Sequence, residues 1–193
     1  TKKNIGFTST DHIFGVAYAN GVYVAVMRDN RIIRSVNSGS SWTVEYNGGG
    51  TEDLFKVAYG NGKFVAVGEA GSLLYSTDNG NSWNLISTGW QLRCIEFDAG
   101  IFVAGGGNFI KTSTDGINWV DRGTTQVPVR ALAFNGTKWI GVGHQIYTSV
   151  GSGAETWTRT LILANLKIED QFYSACAAGT MFLAAGEHGL LFI

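Results

Sequence analysis

The sequence predicts an all-β chain of five repeated units, each made of four short antiparallel strands. One observation is a turn that ends in tryptophan and recurs about every forty residues. It reads Ser35-Val36-Asn37-Ser38-Gly39-Ser40-Ser41-Trp42 and then Ser76-Thr77-Asp78-Asn79-Gly80-Asn81-Ser82-Trp83. A version one residue shorter runs from Ser113 to Trp119 with Asp115 and Gly116, and a longer one without Asp runs from Ser149 to Trp157. A second pattern keeps step with the first, an aromatic followed by small and β-branched residues. It appears at Tyr23-Val24-Ala25-Val26, Phe64-Val65-Ala66-Val67, Phe102-Val103-Ala104-Gly105, Trp139-Ile140-Gly141-Val142 and Phe182-Leu183-Ala184-Ala185. Finally, the chain has a single proline, many short runs of Val, Ile, Tyr and Phe bounded by Gly, Asn and Asp, and no long helical periodicity.

The second unit shows the division most clearly. A first strand covers about Phe55–Tyr59, a turn follows at Gly60-Asn61-Gly62, a second strand covers Lys63–Val67 and a third Ser72–Ser76. The octet turn leads into a fourth near Asn84–Ser87. In that octet a carboxylate two residues after a serine can accept turn N–H groups, Gly80 supplies a positive φ, and Trp83 returns a large ring to the core. Four strands at this period are the arithmetic of a β-propeller blade. The units run from about 13–47, 54–88, 92–125 and 129–168, with the fifth at 172–193 plus 4–8. The last unit offers strands at Tyr173–Ala177, Met181–Ala185 and Leu190–Ile193, and Asn4–Thr8 stands where a fourth would. The expectation is a five-bladed β-propeller of four-stranded antiparallel blades forming one domain. Its ring closes by pairing the N-terminal with the C-terminal strand, which removes two exposed edges.

These turns resemble the Asp-box, or bacterial-neuraminidase, repeat family. Ser76–Trp83 matches the motif fully, Asn37 replaces Asp in the first turn, and the other two carry a deletion and an insertion. The resemblance implies a propeller in which Asn37, Gly39, Trp42, Asp78, Gly80, Trp83, Asp115, Gly116, Trp119 and Trp157 are structural and lie away from any catalytic centre. The family includes sialidases, secreted hydrolases, photosystem-assembly propellers and bacteriophage structural proteins. Its sialidases use an Arg-Ile-Pro element that this chain lacks, since Pro128 follows Val127.

Composition narrows the function classes further. A formal net charge of −1 with scattered Lys and Arg argues against generic nucleic-acid binding. No apolar run reaches membrane-spanning length, so a soluble protein without membrane insertion is expected. The start Thr1-Lys2-Lys3-Asn4 has no following apolar segment of the kind a signal peptide needs. Cys94 and Cys176 are too few for a disulfide framework and read as buried strand thiols. No phosphate-cradling loop, paired cysteines, His-x-x-x-His or Gly-x-Ser-x-Gly is present, and neither a cofactor nor a metal is expected.

Candidate binding residues fall in the loops between second and third strands and in the crossovers. One aligned position is filled by Arg28, Glu69, Gly107, His144 and Glu187. With His188 next to Glu187, and His12 in the crossover into the first unit, all three histidines share one face. His144, Glu187 and His188 read either as a metal or proton-transfer cluster or as ordinary polar turn residues. Trp90, in the crossover Ser87-Thr88-Gly89-Trp90-Gln91, reads as a stacking surface for a sugar or partner, or as a wedge between units. The apolar crossover Leu161–Ile168 offers a patch for protein contact. The leading expectation is therefore a non-enzymatic interaction or scaffold module, a structural or receptor-binding component of a larger assembly such as a bacteriophage virion. A lectin binding cell-surface glycans is the alternative, and a glycoside hydrolase ranks third.

Overall fold

The structure is a computed structural model that describes residues 11–160, 171–187 and 191–192. The proposed closing strand Asn4–Thr8, its partner residues Leu190 and Ile193, the crossover Leu161–Ile168 and His188 lie outside the described residues. Contacts divide the chain into two compact units, Thr1–Leu92 and Arg93–Ile193. Among the described residues no helix is long and apolar enough to cross a membrane.

The first unit holds two four-stranded sheets in simple sequential order. One contains β1 (Ile13–Ala19), β2 (Val22–Met27), β3 (Arg31–Ser35) and β4 (Thr43–Asn47). The other contains β5 (Leu54–Gly60), β6 (Lys63–Gly68), β7 (Ser72–Ser76) and β8 (Asn84–Ser87). All neighbours pair antiparallel. Asn20-Gly21 and Asn61-Gly62 all have positive φ, the conformation a two-residue hairpin that follows strand twist requires. The turns set the register, so that Tyr18 faces Tyr23 and Tyr59 faces Phe64, with ring centroids 4.5 and 4.8 Å apart. The two sheets share one core in which Val24, Val26, Ile32, Leu54, Phe64 and Leu74 are buried and Tyr59 and Trp83 are packed at its margin.

The second unit repeats the pattern in β9 (Cys94–Asp98), β10 (Ile101–Gly106), β11 (Phe109–Ser113) and β12 (Val120–Thr124). The next sheet is β13 (Val129–Phe134), β14 (Trp139–Gly143), β15 (Ile146–Ser149) and β16 (Trp157–Thr160). The last described sheet has three strands, β17 (Phe172–Ala178), β18 (Met181–Gly186) and β19 (Leu191–Phe192). Phe97 with Phe102 and Phe134 with Trp139 repeat the cross-strand aromatic pair, at 4.7 and 4.9 Å. Cys94 is buried beside Val129 and Leu132. Cys176 corrects the sequence expectation. It is exposed, because β17 alternates and Ala175 and Ala177 take its core-facing positions.

The tryptophan turns are built alike. Ser76 Oγ accepts the Gly80 N–H at 2.8 Å and donates to Asp78 Oδ1 at 2.8 Å. Asp78 in turn accepts the Ser82 N–H at 2.9 Å and the Ser82 hydroxyl at 2.7 Å. Asn37 reproduces the N–H bond to Ser41 at 2.9 Å, which explains why an amide serves there. In the shorter turn Asp115 accepts from Ile117 and Asn118. In the longer one Ala154 takes the place of the glycine with φ 50°, and Trp157 Nε1 donates to its carbonyl as Trp83 does to Gly80.

The second turn also docks on the neighbouring sheet. Arg34 Nε donates to the Asn79 carbonyl at 2.8 Å and Asn20 Nδ2 to Asn79 Oδ1 at 2.9 Å. A Cβ added at Gly80 would stand 2.7 Å from Val24 Cγ2, and Gly80 already has φ 80°. At Gly39 an added Cβ would meet only the Trp42 ring, at 3.9 Å. We therefore expect Gly80→Ala to destabilise by about 3 kcal/mol, from strain plus overpacking, and Gly39→Ala by about 1 kcal/mol from strain alone. Chemical denaturation of the two variants checks this, and equal losses would contradict the docking contact.

Burial is the largest single influence on the Asp78 carboxyl and pushes its pKa up. The bonds from Ser82, Ser76 and Asn81 together outweigh burial and hold it at about 2. Because the folded value lies below the ordinary 3.8, this contribution is present above that pH and is lost as pH falls through 3.8 towards about 2. Urea midpoints at pH 5 and pH 2 should accordingly differ less in Asp78→Asn than in the parent chain.

Candidate functional site

In each unit, inner strands begin with a break in the regular pairing. The register slips between Ile13 and Gly15, Leu54 and Lys56, Val129 and Ala131, and Phe172 and Ser174. Each slip is a β-bulge whose extra residue is Phe14, Phe55, Arg130 or Tyr173. The bulges bring these side chains together in pairs. In the first unit the Phe14 and Phe55 rings meet edge to face at 5.8 Å. In the second unit the Arg130 guanidinium lies 5.4 Å from the Tyr173 ring centroid.

Three of the aligned loop residues are each tied to the start of the inner strand of their own sheet. Arg28, Glu69 and Glu187 each donate a backbone N–H, at 2.9 Å, to the carbonyl sixteen residues earlier, that of His12, Asp53 or Gln171. The Tyr173 hydroxyl donates to Glu187 Oε1. That bond is the main reason the Tyr173 pKa is raised, with burial and the Glu187 charge adding to it and Arg130 opposing it. Among the described residues, the buried Arg130 Nε and Gln171 Oε1 have no hydrogen-bond partner, nor has Asn30 Oδ1 in the first unit. The unpartnered Arg130 Nε thus belongs to the guanidinium that lies against the half-exposed Tyr173 ring, and Gln171 stands two residues before that tyrosine in the chain.

The remaining sequence candidates are more dispersed. Arg28 and His12 are exposed, and the His12 ring stacks on Phe14 at 6.2 Å. Glu69, Gly107 and His144 are half-buried. Among the described residues no group of three His, Cys, Asp or Glu could hold a metal ion. Trp90 is half-buried, its backbone N–H donating to Thr88 Oγ1 at 3.1 Å while Thr88 Oγ1 donates to the Gly71 carbonyl at 3.1 Å. The crossover is thereby folded back over the turn between β6 and β7. Sequence reasoning found Glu187 and missed Arg130, Tyr173 and Gln171. The available signal was the residue that follows the first apolar position of the inner strand, which is large in Ile13-Phe14, Leu54-Phe55, Val129-Arg130 and Phe172-Tyr173.

Ultraviolet titration tests the tyrosine assignment. Glu187→Gln should bring the Tyr173 ionisation down towards the ordinary tyrosine range, and Arg130→Met should push it higher, because the first removes the negative charge of the acceptor, whose amide replacement can also donate to a phenolate, and the second removes a stabilising cation.

No family model and no curated protein sequence matches the chain. Solved structures do resemble it. A nidogen/laminin complex matches with a TM-score of 0.68 at 15% identity over 90% of this chain and 72% of that one. YCF48 from Cyanidioschyzon merolae matches with 0.71 at 13% over 98% and 68%. YCF48 bound to D1 peptide matches with 0.72 at 16% over 94% of this chain, which spans 64% of that one. These neighbours are β-propeller proteins, and the likeness shows a β-propeller fold.

Proposed function

We propose that this chain is a non-enzymatic interaction module that recognises an extended segment of a protein partner at the edge carrying Arg130, Tyr173 and Glu187. The observation that carries this reading is the pair of buried unpartnered atoms, Arg130 Nε and Gln171 Oε1. An unsatisfied buried polar group costs about 1–3 kcal/mol. A peptide backbone offers one carbonyl for the guanidinium N–H and one N–H for the amide oxygen, and rotation of the half-exposed Tyr173 ring admits it. Two structural neighbours support the reading, nidogen in complex with laminin and YCF48 with the D1 peptide.

The wider proposal keeps the sequence-derived details. The chain is an Asp-box propeller of five blades, closed by pairing of residues 4–8 with residues 190–193, and serves in a larger assembly such as a bacteriophage particle. Its support is the repeat count and the Ser-x-Asp-x-Gly turns. A glycan-binding lectin is the second reading, favoured by the half-buried Trp90 beside the exposed Gln91.

Panning a displayed library of linear peptides against the parent chain and Tyr173→Ala separates the two. Peptides that bind the parent and lose at least about tenfold in affinity for the variant, as expected of an interface anchor, support the protein partner. No enrichment, together with a glycan-array signal lost in Trp90→Ala, would overturn it in favour of the lectin.

A further inference from the structure

The last strand of each four-stranded sheet is an edge, with a row of backbone groups that have no neighbouring strand. Three of these edges carry a device that discourages further pairing. β4 holds Glu45, and its register slips against β3 between Ile32 and Ile33. β12 holds Asp121 and Arg122 and slips against β11 between Phe109 and Lys111. β16 holds Arg159, whose Nη1 donates to Gln126 Oε1 at 2.8 Å. β8 has none of these: Asn84-Leu85-Ile86-Ser87 is uncharged, lacks proline, and pairs without a slip to the equally uncharged β7. Asn84, Leu85 and Ser87 are exposed, Leu85 by 52%. The end of the strand fixes its hydrogen-bond phase. The Thr88 N–H donates to the Gly71 carbonyl at 3.1 Å, continuing the register in which Ser72 faces Ser87. Backbone groups alternate in direction along an antiparallel strand, so Ile86 and Asn84 also bond inward to β7, while Leu85 and Ser87 turn their N–H and C=O groups outward.

We propose that this edge pairs with the same edge of a second copy of the chain, β8 running antiparallel to β8 about a twofold axis. Leu85 of each copy then stands opposite Ser87 of the other, and each such pair exchanges both of its N–H···O bonds. Ile86 falls on the axis and faces its own symmetry mate, an apolar cross-strand pair. The charge pattern selects a second copy over an unrelated strand. A twofold axis brings every residue towards its own kind, which on β4 would set Glu45 against Glu45 and on β8 sets no like charges together. A partner of different sequence would instead find no charge on β8 or β7 to complement. Pairing consumes the edge, so the assembly closes at a dimer. The inference is independent of peptide recognition beside Tyr173, and either can fail alone.

Sedimentation equilibrium of the full chain over a range of concentrations should show a reversible monomer–dimer association. Ser87→Pro removes an outward N–H and leaves the β7 ladder intact, and it should weaken the association at least about tenfold. Leu85→Lys adds the kind of charge that guards the other three edges and should act in the same direction. Amide hydrogen exchange reads the register. Asn84 and Ile86 are held by β7 and should be protected in monomer and dimer alike, whereas Leu85 and Ser87 should be protected in the dimer and exchange freely on dilution. A chain that stays monomeric at every concentration, species larger than a dimer, a dimer that neither substitution weakens, or free exchange of Leu85 and Ser87 within the dimer would each overturn the proposal.

Discussion

A strand that is apolar on both faces cannot belong to a sheet with a wet side, and the central strands of this protein are of that kind. In β6 and β10 every position after the first is buried, and β14 is buried throughout. Such sheets must be covered front and back, which forces stacking of sheet on sheet rather than one sheet facing water. The cross-strand aromatic pairs fill the space between sheets, and the glycines let backbone and side chain approach closely. Gly105 shows the tolerance of the arrangement: an added Cβ would come within 3.0 Å of the Val129 side chain on the next sheet.

The tryptophan turns act within that constraint. Their serine and carboxylate or amide oxygens absorb N–H groups that the third-to-fourth strand connection would leave without partners. This frees the turn to be rigid without help from its neighbours. In the first unit that rigidity is used, because Asn79 and Gly80 dock against Arg34, Asn20 and Val24 of the adjacent sheet. A motif that looks like local turn chemistry in the sequence therefore also holds two sheets together.

The candidate site residues are concentrated where the regular pairing breaks. A bulge adds an unpaired residue and re-aims its side chain, and the repeated bulge at the beginning of the inner strand places Arg130 against Tyr173 while the same position in the first unit pairs Phe14 with Phe55. The repeated position is thus aromatic in three sheets and cationic in one, a difference in chemistry laid on constant geometry. Glu187 was legible because alignment on the strand aromatics puts it in a loop. Arg130 and Tyr173 were not, since strict alternation gives no warning that a bulge will shift the side-chain phase. Cys176 failed for a related reason: its strand has apolar residues on both faces in sequence, and only packing shows that Ala175 and Ala177 take the inner one.

The sequence by itself determined the strand-and-turn grammar: four-strand units, hairpins at Asn-Gly, and turns capped by Ser with Asp or Asn. These depend on residues close together in the chain, whose backbone preferences and hydrogen bonds act over a few positions. Tertiary structure alone decided which of several equivalent loop residues meet. Contact between Arg130 and Tyr173 joins residues 43 apart through two bulges and the packing of separate sheets. It depends on the angle and spacing of stacked sheets, quantities that no local pattern encodes.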